Sequence, residues 1–240
     1  MTNFNTDNLP GVHISPNIQR DPDGYELENR AADPDQLVEA AMASISFWDG
    51  KIVLDLGAGT GYHIERFHRN ASHVIAIEPH GPSRLRAMKR IADMQLERVS
   101  IMTGSAERLF LPDKSVDMVH ARFAYFFAPG CALGLVELER VIKPGGSAFI
   151  IDNDLTYGTF ASWLRRSIYY EGITAEVVEK FWSEHGFSLI RIPSRWQFTT
   201  RADLEVVVRN NFPPTLAEQI ISEHTGLEVD YYYDLFYRHY

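Results

Sequence analysis

Cysteine is almost absent: Cys131 is the one thiol in 240 residues. A single thiol closes no internal disulfide and builds no metal cluster, so a reducing cytoplasm is the expected compartment. Long apolar runs are missing as well, none approaching the roughly 20 residues a membrane span needs. Met1 to Pro10 lack the charged-then-apolar layout of a signal peptide. Positive charge is scarce, since 23 Lys and Arg against 32 Asp and Glu leave a net charge of −9. Proteins that grip long nucleic acid show a basic surface, so a small-molecule substrate is expected ahead of nucleic acid, a local basic patch staying open. There is no Gly-x-Ser-x-Gly elbow and no P-loop. His63 and His68 do not form an H-E-x-x-H pair, so no metal is expected.

What is present is ordinary globular material, 45% hydrophobic and 23% charged. It reads as one domain, 1–240, with an extended N-terminal arm, 1–32, and a helical insertion, 201–224. A helix start is expected at Asp33-Pro34-Asp35-Gln36, with Asp33 capping, Pro34 in the first turn and Gln36 completing a capping box. Short apolar runs at 51–56, 73–78, 99–102, 116–119 and 147–151 read as buried parallel strands. Helix-like stretches around 61–70, 81–95, 131–142 and 174–185 alternate with them, which predicts a parallel sheet with helices on both faces. Lys143-Pro144-Gly145-Gly146 reads as a turn. Phe187 to Trp196 is expected as a strand, and Leu227 to Tyr237 as a half-exposed antiparallel strand. Between them, 201–210 and 214–224 are helical patterns whose apolar positions call for a partner surface, either packed scaffold or a second copy in a homodimer.

The most informative segment is Asp55-Leu56-Gly57-Ala58-Gly59-Thr60-Gly61, a glycine-rich turn between a strand and a helix. Glycines let backbone approach a ligand and adopt positive φ. Glu78 ends the next strand about 20 residues on, where an acid accepts hydrogen bonds from ribose hydroxyls. Two details argue against a dinucleotide-using oxidoreductase. Tyr62 occupies the position where the dinucleotide fingerprint wants its last glycine. Asp55 would repel a pyrophosphate but suits a ligand carrying an ammonium group.

Several segments, in the same order, resemble class I S-adenosylmethionine (SAM)-dependent methyltransferases. Asp55 to Gly61 is similar to their SAM signature and Ile77-Glu78-Pro79 to their ribose-binding strand end. Gly104-Ser105-Ala106-Glu107 with Leu111 to Asp117 resembles the adenine-side loop and fourth strand, and Glu137 to Gly146 the helix and turn before the fifth. Together they span about 35–152, and the overall look is of the small-molecule branch that includes ubiquinone/menaquinone C-methyltransferase-like enzymes. The resemblance implies a Rossmann-like, doubly wound, mostly parallel sheet in a three-layer α/β/α arrangement with an antiparallel C-terminal strand. It implies SAM as methyl donor and S-adenosylhomocysteine as product. It places Asp55, Gly57, Ala58, Gly59, Gly61, Glu78, Pro79, Ser105, Ala106 and Arg122 at the cofactor. Ser105 departs from the pattern, because the family often has an Asp there to accept the adenine amino group.

The same resemblance sets Ala121 and Arg122 beside the methionine end of SAM and Tyr125 and Phe126 toward the substrate, core aromatic packing being the other reading of those two. Tyr25 and Arg30, in the arm, are candidates for a lid. Candidates for catalysis are Tyr125, His120, Asp152 and Asp154, the last two just past the fifth strand, where a capping turn is the alternative. The rival functions are a methyltransferase acting on protein or RNA, and a non-catalytic SAM-binding regulatory or partner protein.

Overall fold

The computed structural model describes residue 12 and residues 15–240. Seven strands form one sheet in the order β3-β2-β1-β4-β5-β7-β6: β1 Ile52–Leu56, β2 His73–Ile77, β3 Val99–Met102, β4 Val116–Arg122, β5 Ile142–Asn153, β6 Ser188–Gln197 and β7 Glu228–His239. β1 to β5 pair in parallel, while β7 slots antiparallel between β5 and β6. Helices flank the sheet, and the doubly wound, mostly parallel Rossmann-like fold expected from the sequence is the fold observed. The strand order reverses between β1 and β4, and in such sheets ligands bind in the crevice outside the carboxyl ends at that point.

The helices are α1 Pro16–Arg20, α2 Pro22–Ala31, α3 Leu37–Ile45, α4 Ile64–His68, α5 Gly81–Asp93, α6 Ala132–Val141, α7 Gly158–Leu164, α8 Ala175–Glu184, α9 Arg201–Asn211 and α10 Pro214–Glu223. The stretch 1–32 departs from the expected extended arm. Its residues 1–11, 13 and 14 lie outside the described residues, and the rest is mostly two helices. Asp21 caps α2 by accepting from Gly24 N–H at 3.0 Å, with Pro22 opening the helix; both are standard start signals. The α3 start also differs. Gln36 is left-handed at φ 56°, the helix begins at Leu37, and Asp33 reaches past the turn to accept from Leu37 and Val38 N–H at 3.1 and 3.0 Å.

The insertion between β6 and β7 is helical as expected. Its apolar residues Leu204, Val207, Val208, Leu216, Ala217 and Ile220 are buried within the protomer, so this face needs no second copy to cover it. Across it lie α1 and α2. Arg20 donates to the Asn210 carbonyl at 2.7 Å, and Asn211 Nδ2 donates to Glu28 at 2.7 Å. β7 is less exposed than expected: Val229, Tyr231, Tyr233, Asp234, Leu235 and Phe236 are all buried, because it pairs on both edges. Two further differences are the 143–146 turn, which falls inside β5, and α7, unread from the sequence. α7 buries Phe160, Ala161, Trp163 and Leu164, too apolar all round to show a helical stripe.

Candidate active site

The turn after β1 is built on left-handed glycines: φ is +77° at Gly57, +57° at Gly59 and +78° at Gly61. A Cβ on Gly57 would sit 2.3 Å from the Ala124 methyl, so the loop can rest against the end of β4 only as glycine. Gly57 and Ala58 N–H both donate to the Ile77 carbonyl at 2.8 and 3.0 Å, which ties the loop to β2. Glu78 continues from β2 and accepts from Gly59 N–H at 2.8 Å and His80 N–H at 2.7 Å. Burial pushes the Glu78 carboxyl upward, and these two N–H groups, with Arg84, oppose it.

A cavity of about 460 Å³ opens at this point. That volume is within the range of small-ligand sites. One end is lined by Gly57, Ala58, Gly59, Glu78, Pro79, Ser105 and Ala106, the other by Arg122, Phe123, Tyr125, Asn153, Phe160 and Tyr231. Tyr25, Glu28 and Asn29 of α2 and Asn17, Ile18 and Arg20 of α1 complete the lining. Tyr25 thus meets the cavity as its placement in the arm suggests, whereas Arg30 is exposed and outside the lining.

Other sequence candidates sit behind the wall. Asp55 is buried in β1 with Oδ1 2.8 Å from His120 Nδ1. Its Oδ2 has no hydrogen-bond partner among the described residues. Gly61 and His120 are outside the lining, and Phe126 packs in the core edge-on to Tyr125. Tyr125 does line the cavity, but its hydroxyl accepts from Gly134 N–H at 3.2 Å and lies 3.1 Å from Glu107. Asp154 is a turn anchor: it accepts from Thr156 N–H at 2.8 Å and pairs with Arg191 at 2.8 Å. Asp152, beside it, is pushed up to about 7 by burial and is not part of the lining.

A charged layer supports the floor. Arg122 lies 3.5 Å from Glu39 and its guanidinium stands 4.8 Å over the Tyr233 ring. Burial alone would raise the Glu39 carboxyl, but the buried Arg122 guanidinium 3.5 Å away opposes it, and Glu39 is held well below the ordinary range. His63 is pushed down to about 4 by burial and by Arg122, so at neutral pH it is uncharged. Its 3.7 Å approach to Glu39 is then too long for a hydrogen bond and is no ion pair.

Helix α2 is latched onto the glycine loop. Glu26 pairs with Arg90 of α5 at 2.6 Å and accepts from the Thr60 hydroxyl. Arg90 also donates to the Thr60 carbonyl at 3.1 Å. Glu26→Ala should cost about 1–2 kcal/mol, as a partly buried charged hydrogen bond does. Hydrogen exchange should then quicken across 16–31 while β1 and β4 stay protected. Unchanged exchange in α2 would mean that the latch holds nothing.

Residues 54–150 match a protein family described as a methyltransferase domain. This stretch is similar to that methyltransferase domain. A demethylmenaquinone methyltransferase of Thermobifida fusca is 32% identical to the chain over 134 residues, 54% of this chain and 56% of that protein. The chain spans about half the length of the curated relatives it matches. A SAM-dependent methyltransferase from Aquifex aeolicus shares the fold with a TM-score of 0.56 at 17% identity, over 90% of this chain and 97% of that one. So does the [4+2]-cyclase SpnF, with a TM-score of 0.57 at 18% identity, over 84% and 80%. A methyltransferase-type fold therefore carries a protein named for another reaction, and function has to be argued from the site.

Glu28, in the arm cluster with Tyr25, and Asn153, between Asp152 and Asp154, line the cavity where the sequence pointed, whereas Phe160, Asn211 and Tyr231 were missed as cavity residues. The helix explains the pairing of the first with Tyr25: with α2 started at Asp21-Pro22, Glu28 falls three residues after Tyr25, on the same helix face.

Proposed function

We propose that the chain is a SAM-dependent methyltransferase acting on a small-molecule acceptor. The observation that carries this is the continuity of the cavity. One chamber joins the glycine loop, Glu78 and Ser105–Ala106 to the end of β4 and to the aromatic and amide groups beyond it. The residues fit the donor. Glu78 would hold the ribose hydroxyls, Ser105 and Ala106 the adenine edge, and the left-handed glycines leave room for backbone approach. Asp55, with one oxygen unpaired, offers negative charge at the β1 end of the site. Pro79 and Arg122 would flank the two ends of the donor.

SAM supplies a methyl carbon already activated by its sulfonium. The protein's part is to align that carbon with the acceptor and exclude water. Closure of the chamber by α1 and α2 supports a small acceptor over a protein or RNA, because both helices form part of its wall. Among the described residues no helix is long and apolar enough to cross a membrane, and no group of three His, Cys, Asp or Glu could hold a metal ion.

Thermal denaturation tests the donor. A ligand at 100 times its Kd stabilises the native state by about 2.7 kcal/mol, and a chain of this length gains about 2–4 °C per kcal/mol. SAM and S-adenosylhomocysteine should each raise Tm by about 5–10 °C, with NAD and NADP leaving it unchanged. A shift with a dinucleotide and none with SAM would overturn the reading.

A further inference from the structure

We propose that the far end of the cavity is an amine-recognition site in which Glu28 holds the ammonium group of an aromatic amine and accepts its proton. This rests on the methyltransferase reading only for the amine's fate; the site itself stands on its own groups. Glu28 lines the cavity from α2 and is 9% exposed. Its Oε2 accepts from Asn211 Nδ2 at 2.7 Å, while Oε1 takes no hydrogen bond among the described residues. A nearly buried carboxylate with one oxygen open to a chamber lacks a donor, and a ligand ammonium carries three.

The neighbouring surfaces suit an aromatic cation. Phe160 and Tyr231 stack with centroids 4.5 Å apart, and both line the cavity together with Tyr25 and Tyr170. The stacked faces of that pair are taken up by each other, so an aromatic cation would meet Tyr25 and Tyr170 in the lining, whose rings attract positive charge. The two arginines in the lining are already engaged: Arg20 with the Asn210 carbonyl at 2.7 Å, and Arg122 with Glu39 and the Tyr233 ring. Arg122 is thus committed to the floor, while Arg20 is held at the α9 end through Nη2 alone. The proton step balances simply: the ammonium N–H bond breaks, the proton passes to Glu28 Oε1, and the nitrogen keeps the lone pair that a methyl acceptor needs.

Burial pushes the Glu28 carboxyl up to about 7, with Asn211 and Arg122 opposing. The other groups facing it are the phenols of Tyr25 and Tyr170, raised by burial, and those of Tyr231 and Tyr233, likewise raised. These stay protonated, and Arg122 stays charged, across the pH range in which Glu28 titrates. Asp152 titrates in the same range but lies outside the lining.

The probes are phenethylamine, 2-phenylethanol and phenylacetate, titrated calorimetrically with and without S-adenosylhomocysteine. At pH 8 phenethylamine should bind the wild type at least tenfold more tightly than 2-phenylethanol, and phenylacetate most weakly. The amine's advantage should shrink toward pH 6 as Glu28 takes up a proton. Glu28→Gln should abolish both the advantage and its pH dependence; Glu28→Asp, which keeps the charge, should retain the preference and covers the case in which the first variant fails to fold. Equal or tighter binding of the alcohol or the acid, no binding of the amine, or a preference that survives in Glu28→Gln would overturn the proposal. Failure of S-adenosylhomocysteine to bind would count against the methyltransferase reading instead, with the probe ranking still read in its absence.

Discussion

Glu78→Ala is expected to weaken S-adenosylhomocysteine binding about a hundredfold. Hydrogen bonds to a charged acceptor contribute about 1.5–3 kcal/mol each, and each 1.4 kcal/mol is a factor of ten. The carboxylate already accepts from Gly59 and His80 N–H at 2.8 and 2.7 Å. It therefore has a second task besides meeting a ribose, which is to fix the glycine loop against the strand that follows. The alanine variant loses both. Glu78→Gln keeps one acceptor oxygen for the loop and should lose less affinity than alanine. Calorimetry on the folded variants checks the order wild type, Gln, Ala; equal affinities in all three would remove Glu78 from the site.

The second large effect is on stability against pH. Four carboxyls are pushed upward mainly by burial: Glu28 and Asp152 to about 7, Asp234 to about 8, and Glu78. Between the ordinary carboxylate range and these values the folded chain holds protons that the unfolded chain has released. Stability therefore falls as pH rises through that window. Glu39 works the other way. Its lowered value adds stability above the ordinary carboxylate pKa, and this is lost as pH falls below it. Tm should then peak near pH 5 and decline toward pH 8. Glu28 alone would account for about 3 kcal/mol of that decline at most, from 1.36 kcal/mol per pKa unit. Glu28→Gln should be more stable than wild type at pH 8 and close to it at pH 5. Superimposable Tm profiles for the two proteins would show that Glu28 is not held neutral in the fold.

The half of the site that was legible in the sequence is the half made of contiguous residues. Gly57 to Gly61 and Glu78 belong to one strand–turn–helix–strand unit, and backbone geometry there demands glycine and an acid at fixed offsets. The placement of Gly57 to Thr60 and of Glu78 around one cavity follows from local chemistry. The other half is assembled from distant segments. Glu28 meets Asn211 across 183 positions and Asn17 meets Asn211 across 194. No periodicity or turn signal encodes such a pairing. Asp154 shows the opposite limit: its place at the end of a strand suggested chemistry, yet its oxygens are taken up by the following turn and by Arg191. Tyr25 was legible as an arm residue near the cavity, but the arm's helices were not, although Asp21-Pro22 is a readable start.

The latch of Glu26 on Arg90 and Thr60 has a kinetic meaning. Ile18 stands 2.9 Å from where a side chain on Gly59 would begin, so the first two helices cover the very loop that a long ligand must lie along. The expected consequence is gated arrival: a cover that lifts before the chamber fills reduces the observed affinity by the fraction of time it spends closed and empty. Entry would run slower than free diffusion allows, and a bound molecule would stay as long as the latch holds. The outer tether of this cover, Arg86 to Asp23 at 2.7 Å, is largely in water, where salt screens it. Higher ionic strength is therefore expected to speed the exchange of the site's contents without changing how the site recognises them.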